Sequence, residues 1–241
     1  MRGQKPAVYR GILFVLLLSL AGGCATTGTG DPRDPFEGFN RGVYSFNKTM
    51  DEALFDHVGN FYKAITPNVV DKGITNMFSN MNDIAVIANG LLQLKINQAL
   101  TDTLRFIYNS TFGLLGFFDI STPIGMPKHD EDFGQTLAVW GFDSGPYLMI
   151  PFFGPTTVRD ATGFIVDRGV LSPLFYINDA ELKAGLMTMN YIDFKADLLS
   201  TKEVLGEAAL DEYDFVKNAY FEKRASMING ESPPPVPDFD D

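Results

Sequence analysis

The segment that decides the fold reads DPFEGFNRGVYSFNKTMDEAL and covers residues 34–54. It opens with a carboxylate at Asp34, a proline at Pro35 and a second carboxylate at Glu37, which is the order expected at a helix start. Apolar residues then recur at steps of three and four, which places them on one helix face. They are Phe36, Phe39, Val43, Phe46, Met50 and Leu54. The segment therefore predicts an amphipathic helix.

Further segments repeat this helical period. Thr66-Pro67 predicts the start of a second helix. Its predicted inner side carries Val70, Ile74, Met77, Phe78 and Met81. Asp83 is placed to cap a separate apolar stretch over 84–94, and residues 95–110 predict the next helix. Later helices are predicted after Pro155 to about Arg168, from the second capping pattern at 178–181 to about Ser200, and over about 211–228, ending before Gly230.

Between residues 111 and 154 the helical period is lost, and glycines and prolines recur. Frequent glycines and prolines favour short helices, turns or a hairpin. We therefore predict a mainly α protein whose single helical domain covers residues 34–230, with the irregular segment in its middle.

The N-terminus has the pattern of a secretory signal. Basic residues up to Arg10 precede the apolar run GILFVLLLSL, and small residues lead to Cys24, the single cysteine of the chain. The run is too short to span a bilayer. Small residues before a cysteine indicate lipoprotein processing, so residues 1–23 are predicted to be a signal peptide, Cys24 the lipid attachment site and residues 24–33 a flexible tether. The alternative is an ordinary signal peptide followed by an unmodified thiol.

Composition and charge exclude several classes of protein. The chain has 241 residues with 30 acidic and 19 basic side chains, a net charge of −11. An acidic chain of this kind lacks the basic face that a nucleic-acid-binding protein needs. A hydrophobic content of 45% excludes a largely disordered chain, although the acidic, proline-rich residues 231–241 are predicted to be a disordered tail.

Charged residues divide the chain into apolar blocks at 84–94, 106–118 and 144–158. Each block is shorter than the roughly 20 residues that a membrane-spanning helix needs. Two interpretations stay open: the blocks form the buried core of a soluble domain, or they insert part of the way into one leaflet beside the lipid anchor.

Motifs that carry catalytic chemistry are missing from the sequence. There is no GxSxG nucleophile elbow, no second cysteine, and no Walker or dinucleotide-binding glycine pattern. The run His129 to Asp132 (HDED) is interpreted as a solvated helix start, because adjacent carboxylates rarely face one metal ion. We predict a protein without cofactor or metal that is not an enzyme.

Polar residues within apolar segments are the remaining candidates for function. Either they form hydrogen bonds between helices, or they line an amphipathic passage in which Arg41, Arg105 or Arg159 contacts phosphate.

Ordered motifs resemble the VacJ/MlaA family of outer-membrane lipoproteins of Gram-negative bacteria. They are DPFEGFNR (34–41), Phe46-Asn47, NGLLQ (89–93), Arg105-Phe106, Asn109 with Thr111 and Gly113, EDFGQTL (131–137), Trp140-Gly141, GPY (145–147), PFFGP (151–155), Arg159-Asp160 and Ala219-Tyr220-Phe221. Leu94 stands where glycine usually follows the LLQ motif.

The resemblance implies a ring-like bundle of amphipathic helices around a central amphipathic pore, seated in the inner leaflet of the outer membrane. Phospholipids mislocalised to the outer leaflet would pass through this pore towards the periplasm. Expected partners are phospholipids, trimeric porins and a periplasmic lipid carrier, with no nucleic acid. Candidate residues of the pore or lipid path are Phe46, Asn47, Asn89, Gln93, Arg105, Asn109, Gln135, Tyr147 and Arg159.

The segment Gly141 to Gly154 is the candidate for a mobile element beside the pore, because its glycines and prolines permit hinge-like changes. Two other functions stay open: a structural lipoprotein that stabilises porins or the envelope without moving lipid, and a phospholipid-degrading enzyme.

Overall fold

The computed structural model describes residues 30–208 and 210–230, and within the seventh helix the side chains of 203–209 are not described. The predicted signal peptide, Cys24 and the tail at 231–241 lie outside these residues, as does all but the end of the predicted tether. The helices are α1 (Glu37–Met50), α2 (Asp56–Ile65), α3 (Asn68–Leu92), α4 (Ile96–Thr111), α5 (Phe133–Val139), α6 (Val158–Val166), α7 (Ala180–Ala208) and α8 (Glu212–Asn229). The prediction of a mainly helical fold is confirmed.

Helices α1 and α2 follow one another through a π-helical turn, Asp51–Phe55. The predicted cap at Asp34 is wrong, because α1 begins at Glu37 and no side chain caps it. Asp34 is instead buried, where it accepts a hydrogen bond from the amide of Asn40 at 2.7 Å and another from the hydroxyl of Tyr213. A carboxylate with good donors in the interior is more stable than one left unpaired beside a helix end.

Helices α3 and α4 form an antiparallel pair joined by a tight turn. The predicted break at Asp83 is wrong, since α3 continues through this residue and no glycine or proline lies between 74 and 89 to end the helix. Asp83 is buried and forms an ion pair with Lys128. The helices approach closely at Gly90, where an added Cβ atom would lie 3.3 Å from the Cβ of Ala99.

The irregular middle of the chain contains a 3-10 turn at Thr122–Ile124, helix α5 and a two-stranded antiparallel sheet. Strands β1 (Tyr147–Ile150) and β2 (Gly154–Thr157) pair Tyr147 with Thr157 and Ile150 with Gly154. The predicted hairpin is therefore confirmed, with its turn at residues 151–153.

The C-terminal helices begin where the capping residues indicate. The carboxylate of Asp179 accepts a hydrogen bond from the backbone N–H of Leu182 at 2.9 Å at the start of α7. Helix α8 starts after Asp211 and ends at Gly230, whose φ of 73° is the left-handed conformation that glycine adopts easily. Helix α7 packs on α2, while α8 packs on α5 and β2.

The distribution of polar and apolar side chains is inverted on α4. The buried residues of this helix are Ala99, Asp102, Arg105 and Asn109. The exposed ones include Ile96, Leu100, Leu104, Ile107 and Tyr108. On α3 the predicted inner side is correct for Ile74, Met77, Phe78 and Met81, which are buried or half-buried, but Val70 is exposed. The apolar face predicted for α1 is itself partly exposed, at Phe36 and Phe46. No helix in the described part of the chain is long and apolar enough to cross a bilayer.

Candidate functional site

An open cavity of about 580 Å³ lies between α1, the π-helical turn after it, the hairpin turn, α7 and α8. Its lining combines charged side chains, which we call the ionic wall, with aromatic and aliphatic ones, which we call the apolar wall. The ionic wall contains Lys48, Asp51, Glu52, Asp56, Lys195, Lys202 and Glu212. The apolar wall contains Met149, Phe152, Phe153, Phe194, Leu198, Leu199 and Val216.

The first part of the ionic wall joins α7 to the π-helical turn. The ammonium of Lys195 lies 2.7 Å from Oδ1 of Asp51, and that of Lys202 lies 2.9 Å from Oδ2 of the same residue. Lys202 is also 2.6 Å from Oδ1 of Asp56. Lys195 and Lys202 are seven residues apart and so share one face of α7. Their charges hold Asp51 between them at the edge of the cavity.

The second part of the ionic wall joins α1 to α8. Lys48 lies 2.7 Å from Glu212, which also accepts a hydrogen bond of 2.9 Å from the hydroxyl of Tyr44. The hydrogen bond to Glu212 raises the pKa of Lys48, and the same bond lowers the pKa of Glu212. Burial and Glu212 raise the pKa of Tyr44. All three groups therefore keep their neutral-pH states, with a cation and an anion beside the cavity.

The apolar wall is organised around Phe152, in the hairpin turn. Its φ of 69° is left-handed, a conformation that costs a residue with a side chain about 1–2 kcal/mol. Its ring meets Phe46 edge-on at 5.4 Å and Phe55 at 6.3 Å between centroids. Its carbonyl accepts a hydrogen bond of 3.0 Å from the hydroxyl of Tyr191, whose pKa burial raises to about 12. Several contacts thus hold Phe152 in a strained conformation at the cavity.

Two asparagines of α1 hold the outer edge of β1 and the turn that follows. The amide of Asn40 donates to the carbonyl of Tyr147 at 3.1 Å and accepts from the N–H of Met149 at 2.9 Å. One heptad later, Asn47 donates to the carbonyl of Ile150 at 3.0 Å and accepts from the N–H of Phe152 at 2.8 Å. The two side-chain amides thus bind the backbone N–H and carbonyl groups of this edge as the backbone of a neighbouring strand would. The predicted residue Asn47 also lines the cavity.

Two further predicted residues, Asn89 and Gln93, form a buried network with Thr136 and Asp167, and a third, Gln135, is buried next to Thr136 in the sequence. Asn89 donates to Asp167 at 2.9 Å and accepts from the hydroxyl of Thr136 at 2.8 Å. Gln93 donates to the same hydroxyl at 3.2 Å, and Gln135 donates to the carbonyl of residue 130 at 3.0 Å. The contacts of Asn89 and Gln93 match the structural alternative, hydrogen bonds between helices, whereas Gln135 binds the segment that precedes its own helix.

Arg105 and Asn109 hold the loop after α4. Arg105 donates to the hydroxyl of Thr122 at 2.9 Å and lies 3.3 Å from Asp119. Asn109 donates to Asp119 at 3.1 Å, and its oxygen accepts from the N–H and hydroxyl of Ser121. Both side chains are buried and are occupied by partners within the protein.

The other two predicted residues also have structural contacts. Tyr147 is fully buried, and its ring packs edge-on against Tyr213 at 6.2 Å. Burial raises the pKa of Tyr147, so its hydroxyl stays neutral. Arg159 lies 3.0 Å from Asp160, and Arg41 lies 2.9 Å from Asp211. All three arginines suggested for phosphate contact are therefore paired with carboxylates.

The HDED run is a helix start, as predicted, but it is solvated only in part, because Asp130 is exposed whereas Glu131 is buried. Asp132 accepts a hydrogen bond of 2.8 Å from the N–H of Gln135 and also binds Arg224. Although burial alone would raise the pKa of Asp132, Arg224 and Gln135 lower it. Glu131 is buried and lies 2.6 Å from Lys95. Among residues 30–208 and 210–230, no group of three or more metal-ligating side chains is placed to hold an ion.

Sequence reasoning missed the ionic wall. Its members come from three segments, 48–56, 195–202 and 212, which nothing in the sequence brings together. The seven-residue spacing of Lys195 and Lys202 was a usable signal, because it places both charges on one face of α7. The spacing of Asn40 and Asn47 was another.

This geometry suits a molecule that is itself amphipathic. Aromatic and aliphatic side chains on one wall can contact hydrocarbon, while the ion pairs on the other can contact a charged headgroup.

Comparisons with known proteins agree with this interpretation. The profile of the family described as MlaA lipoprotein matches residues 32–227. The intermembrane phospholipid transport system lipoproteins MlaA of Shigella flexneri and Escherichia coli are each 32% identical, over 86% of this chain and 84% of theirs. An uncharacterized protein of Rickettsia felis is 30% identical over 86% of this chain and 82% of its own.

A solved structure described as "Structural basis for maintenance of bacterial outer membrane lipid asymmetry" superposes with a TM-score of 0.72. It is 28% identical in sequence, and the match covers 81% of this chain and 99% of that one. The profile match, the related sequences and the shared helical fold show that this chain belongs to the MlaA lipoprotein family.

Proposed function

We propose that this chain is an outer-membrane lipoprotein that removes mislocalised phospholipids from the outer leaflet and passes them to the periplasmic side. This activity maintains the lipid asymmetry of the outer membrane without a chemical reaction. The observation that carries the proposal is the cavity, whose ionic and apolar walls match the two ends of a phospholipid. The relatives named as components of intermembrane phospholipid transport support it.

The exterior of the described domain supports a position partly within the inner leaflet. The turn between α3 and α4 places Leu94 at the surface with 81% exposure, and Phe112 at the end of α4 is 72% exposed. Exposed apolar area on this scale favours contact with lipid. In this proposal, residues 1–23 are removed, Cys24 carries the acyl chains, and residues 24–33 link the anchor to the domain.

In the proposed path, lipid enters an amphipathic pore of which the cavity is part, and the hairpin turn at 151–153 borders its entrance. A passive pore moves lipid downhill, so retrograde transport depends on a periplasmic carrier that takes lipid from this chain. A trimeric porin is the proposed partner that holds the protein in the membrane.

The test measures phospholipid in the outer leaflet of cells that lack the gene, that carry it, or that carry Cys24→Ala. We expect surface phospholipid to rise on deletion and to return to its normal level only with the lipidatable form. Unchanged surface phospholipid with altered porin abundance would support the structural alternative, and release of lyso-lipid by the purified protein would support the degrading enzyme.

The cavity is tested by narrowing it. Thr201 lines the cavity, and Thr201→Trp places an indole there. Ser45→Trp is the matched control, because Ser45 is exposed on α1 outside the cavity lining. We expect the cavity variant to restore asymmetry less well than the control at equal protein level. Equal restoration by both variants would contradict a lipid path through the cavity.

A further inference from the structure

The described arginines differ in one respect, the presence of a carboxylate partner. Five of them form ion pairs within the protein: Arg33, Arg41, Arg105, Arg159 and Arg224. Arg168 forms neither a hydrogen bond nor an ion pair with any described residue. It lies in the π-helical turn Asp167–Leu171 that follows α6, a type of turn frequent at functional sites.

The neighbouring carboxylate does not neutralise Arg168 through a direct contact. Asp167 accepts one hydrogen bond from Asn89 and another, of 2.9 Å, from the N–H of Phe133. These bonds commit both of its oxygens to the buried network described above. The guanidinium of Arg168 instead lies over the ring of Phe164, 5.3 Å from its centroid.

The guanidinium of Arg168 is accessible to a ligand and is at the same time partly shielded from water. Arg168 is exposed, yet nearby protein atoms lower its pKa by displacing water, and the charge of Asp167 opposes this effect only in part. A guanidinium stays protonated in such a place, and its interaction with an anion is stronger than in bulk water.

The side chains beside it are apolar and exposed. We call this surface the Arg168 patch; it consists of Phe164, Ile165, Arg168, Val170 and Phe175. The 3-10 turn Pro173–Tyr176 packs on the π-helical turn, and the hydroxyl of Tyr176 donates to the carbonyl of Val170 at 2.7 Å. The Arg168 patch therefore combines a guanidinium that no described carboxylate contacts with exposed apolar side chains, and the ammonium of Lys183 lies 5.2 Å from the ring centroid of Phe175.

We propose that Arg168 binds the phosphodiester of a phospholipid. The guanidinium contacts the phosphate of the lipid, and the exposed apolar side chains of the Arg168 patch contact the glycerol and acyl carbons of the lipid. The inference rests on the proposed function and gives it a phosphate-recognising residue. A guanidinium presents a fork of donors that matches phosphate oxygens, and the other described arginines already bind carboxylates. Charge complementarity selects a phosphate over an uncharged amphiphile.

The test uses the full-length lipidated protein in a maltoside detergent, which contains no phosphorus. Dihexanoyl phosphatidylglycerol and inorganic phosphate are each titrated while ³¹P line broadening is recorded. The variants are Arg168→Gln and, as a control that also removes one exposed positive charge, Lys223→Gln. Because Arg168 makes no hydrogen bond within the described protein, we expect the melting temperature of Arg168→Gln to match that of the wild type.

We expect the wild type and the Lys223 variant to bind the short-chain lipid equally, and Arg168→Gln to bind it about tenfold more weakly or worse. Equal lipid binding by Arg168→Gln and wild type would overturn the inference. Equally tight, Arg168-dependent binding of inorganic phosphate would also overturn it, because the patch would then be a site for free anions.

The cellular assay separates this inference from the proposed function. If Arg168→Gln fully restores outer-leaflet asymmetry in cells that lack the gene, the inference fails while the proposed function stands. If the wild-type gene does not restore asymmetry, the proposed function itself fails. Partial restoration by Arg168→Gln at wild-type protein level, with full restoration by Lys223→Gln, supports both.

Discussion

Replacing Asn47 by leucine tests how the hairpin turn is held at the cavity. The side chain makes two hydrogen bonds, to the carbonyl of Ile150 and from the N–H of Phe152. At about 0.5–1.5 kcal/mol each, their loss removes about 1–3 kcal/mol from the closed turn. The left-handed strain at Phe152 remains and favours opening. The open population should therefore rise roughly 5- to 150-fold.

Hydrogen exchange measured by NMR reports this opening. In Asn47→Leu we expect faster exchange at the amides of residues 152 and 153, while amides in the middle of α3 keep their protection. The matched control is Asn97→Leu, because Asn97 is exposed on α4 and its side chain makes no hydrogen bond with a described residue. Unchanged exchange in the turn would refute the idea that the two hydrogen bonds of Asn47 hold the turn closed. A uniform increase over the whole domain would show instead that Asn47 supports global stability.

Three further predictions concern stability. Asn89→Leu should lower the free energy of unfolding by about 2–4 kcal/mol in urea, because three hydrogen bonds of its buried side chain are lost; an unchanged midpoint would argue for a site in an open passage. Leu94→Gly should raise stability by about 0.5–1 kcal/mol, because Leu94 has a φ of 61° and is exposed; a lower melting temperature would contradict this. Burial alone would raise the pKa of Asp119, but hydrogen bonds from Thr122 and Asn109 lower it to about 2. The stability that the Asp119 carboxylate contributes is therefore present above about pH 4 and lost towards pH 2. Between about pH 4 and pH 2 the urea midpoint of Asp119→Asn should fall less steeply than that of the wild type. Parallel curves would exclude a stabilising role of the charged Asp119.

Helix positions were predicted well because they depend on neighbours in sequence. The apolar period and the caps at Asp179 and Gly230 located α7 and α8, and the loss of period located the hairpin. Asp34 and Asp83 were wrongly predicted to start helices. A carboxylate can cap a helix or accept a hydrogen bond or ion pair in the interior, and the sequence does not distinguish these roles until the partners are known. Those partners, Tyr213 and Lys128, are distant in sequence.

The candidate site was predicted only in part. Asn47 lines the cavity, and Phe46 packs against Phe152 at the turn, while their place on a lipid path stays a prediction. Asn89 and Arg105 instead have partners throughout the interior. A polar residue in an apolar segment has the same appearance in sequence whether it faces a passage or another helix.

Local period and motifs in a set order were enough to indicate most of the helices and the family, and the sequence also predicts lipid attachment at Cys24. Only the tertiary structure decided which helix faces are inside. A period of 3.6 residues separates a polar stripe from an apolar one but does not say which stripe meets the surroundings. On α4 the polar stripe is inside, because its charged and amide side chains find partners within the protein. The leucines and isoleucines of the same helix are exposed. Tertiary structure likewise joined Lys48, Asp51 and Lys195 into one wall and left Arg168 without a carboxylate partner among the described residues, because ion pairs form between side chains that folding brings within a few ångströms.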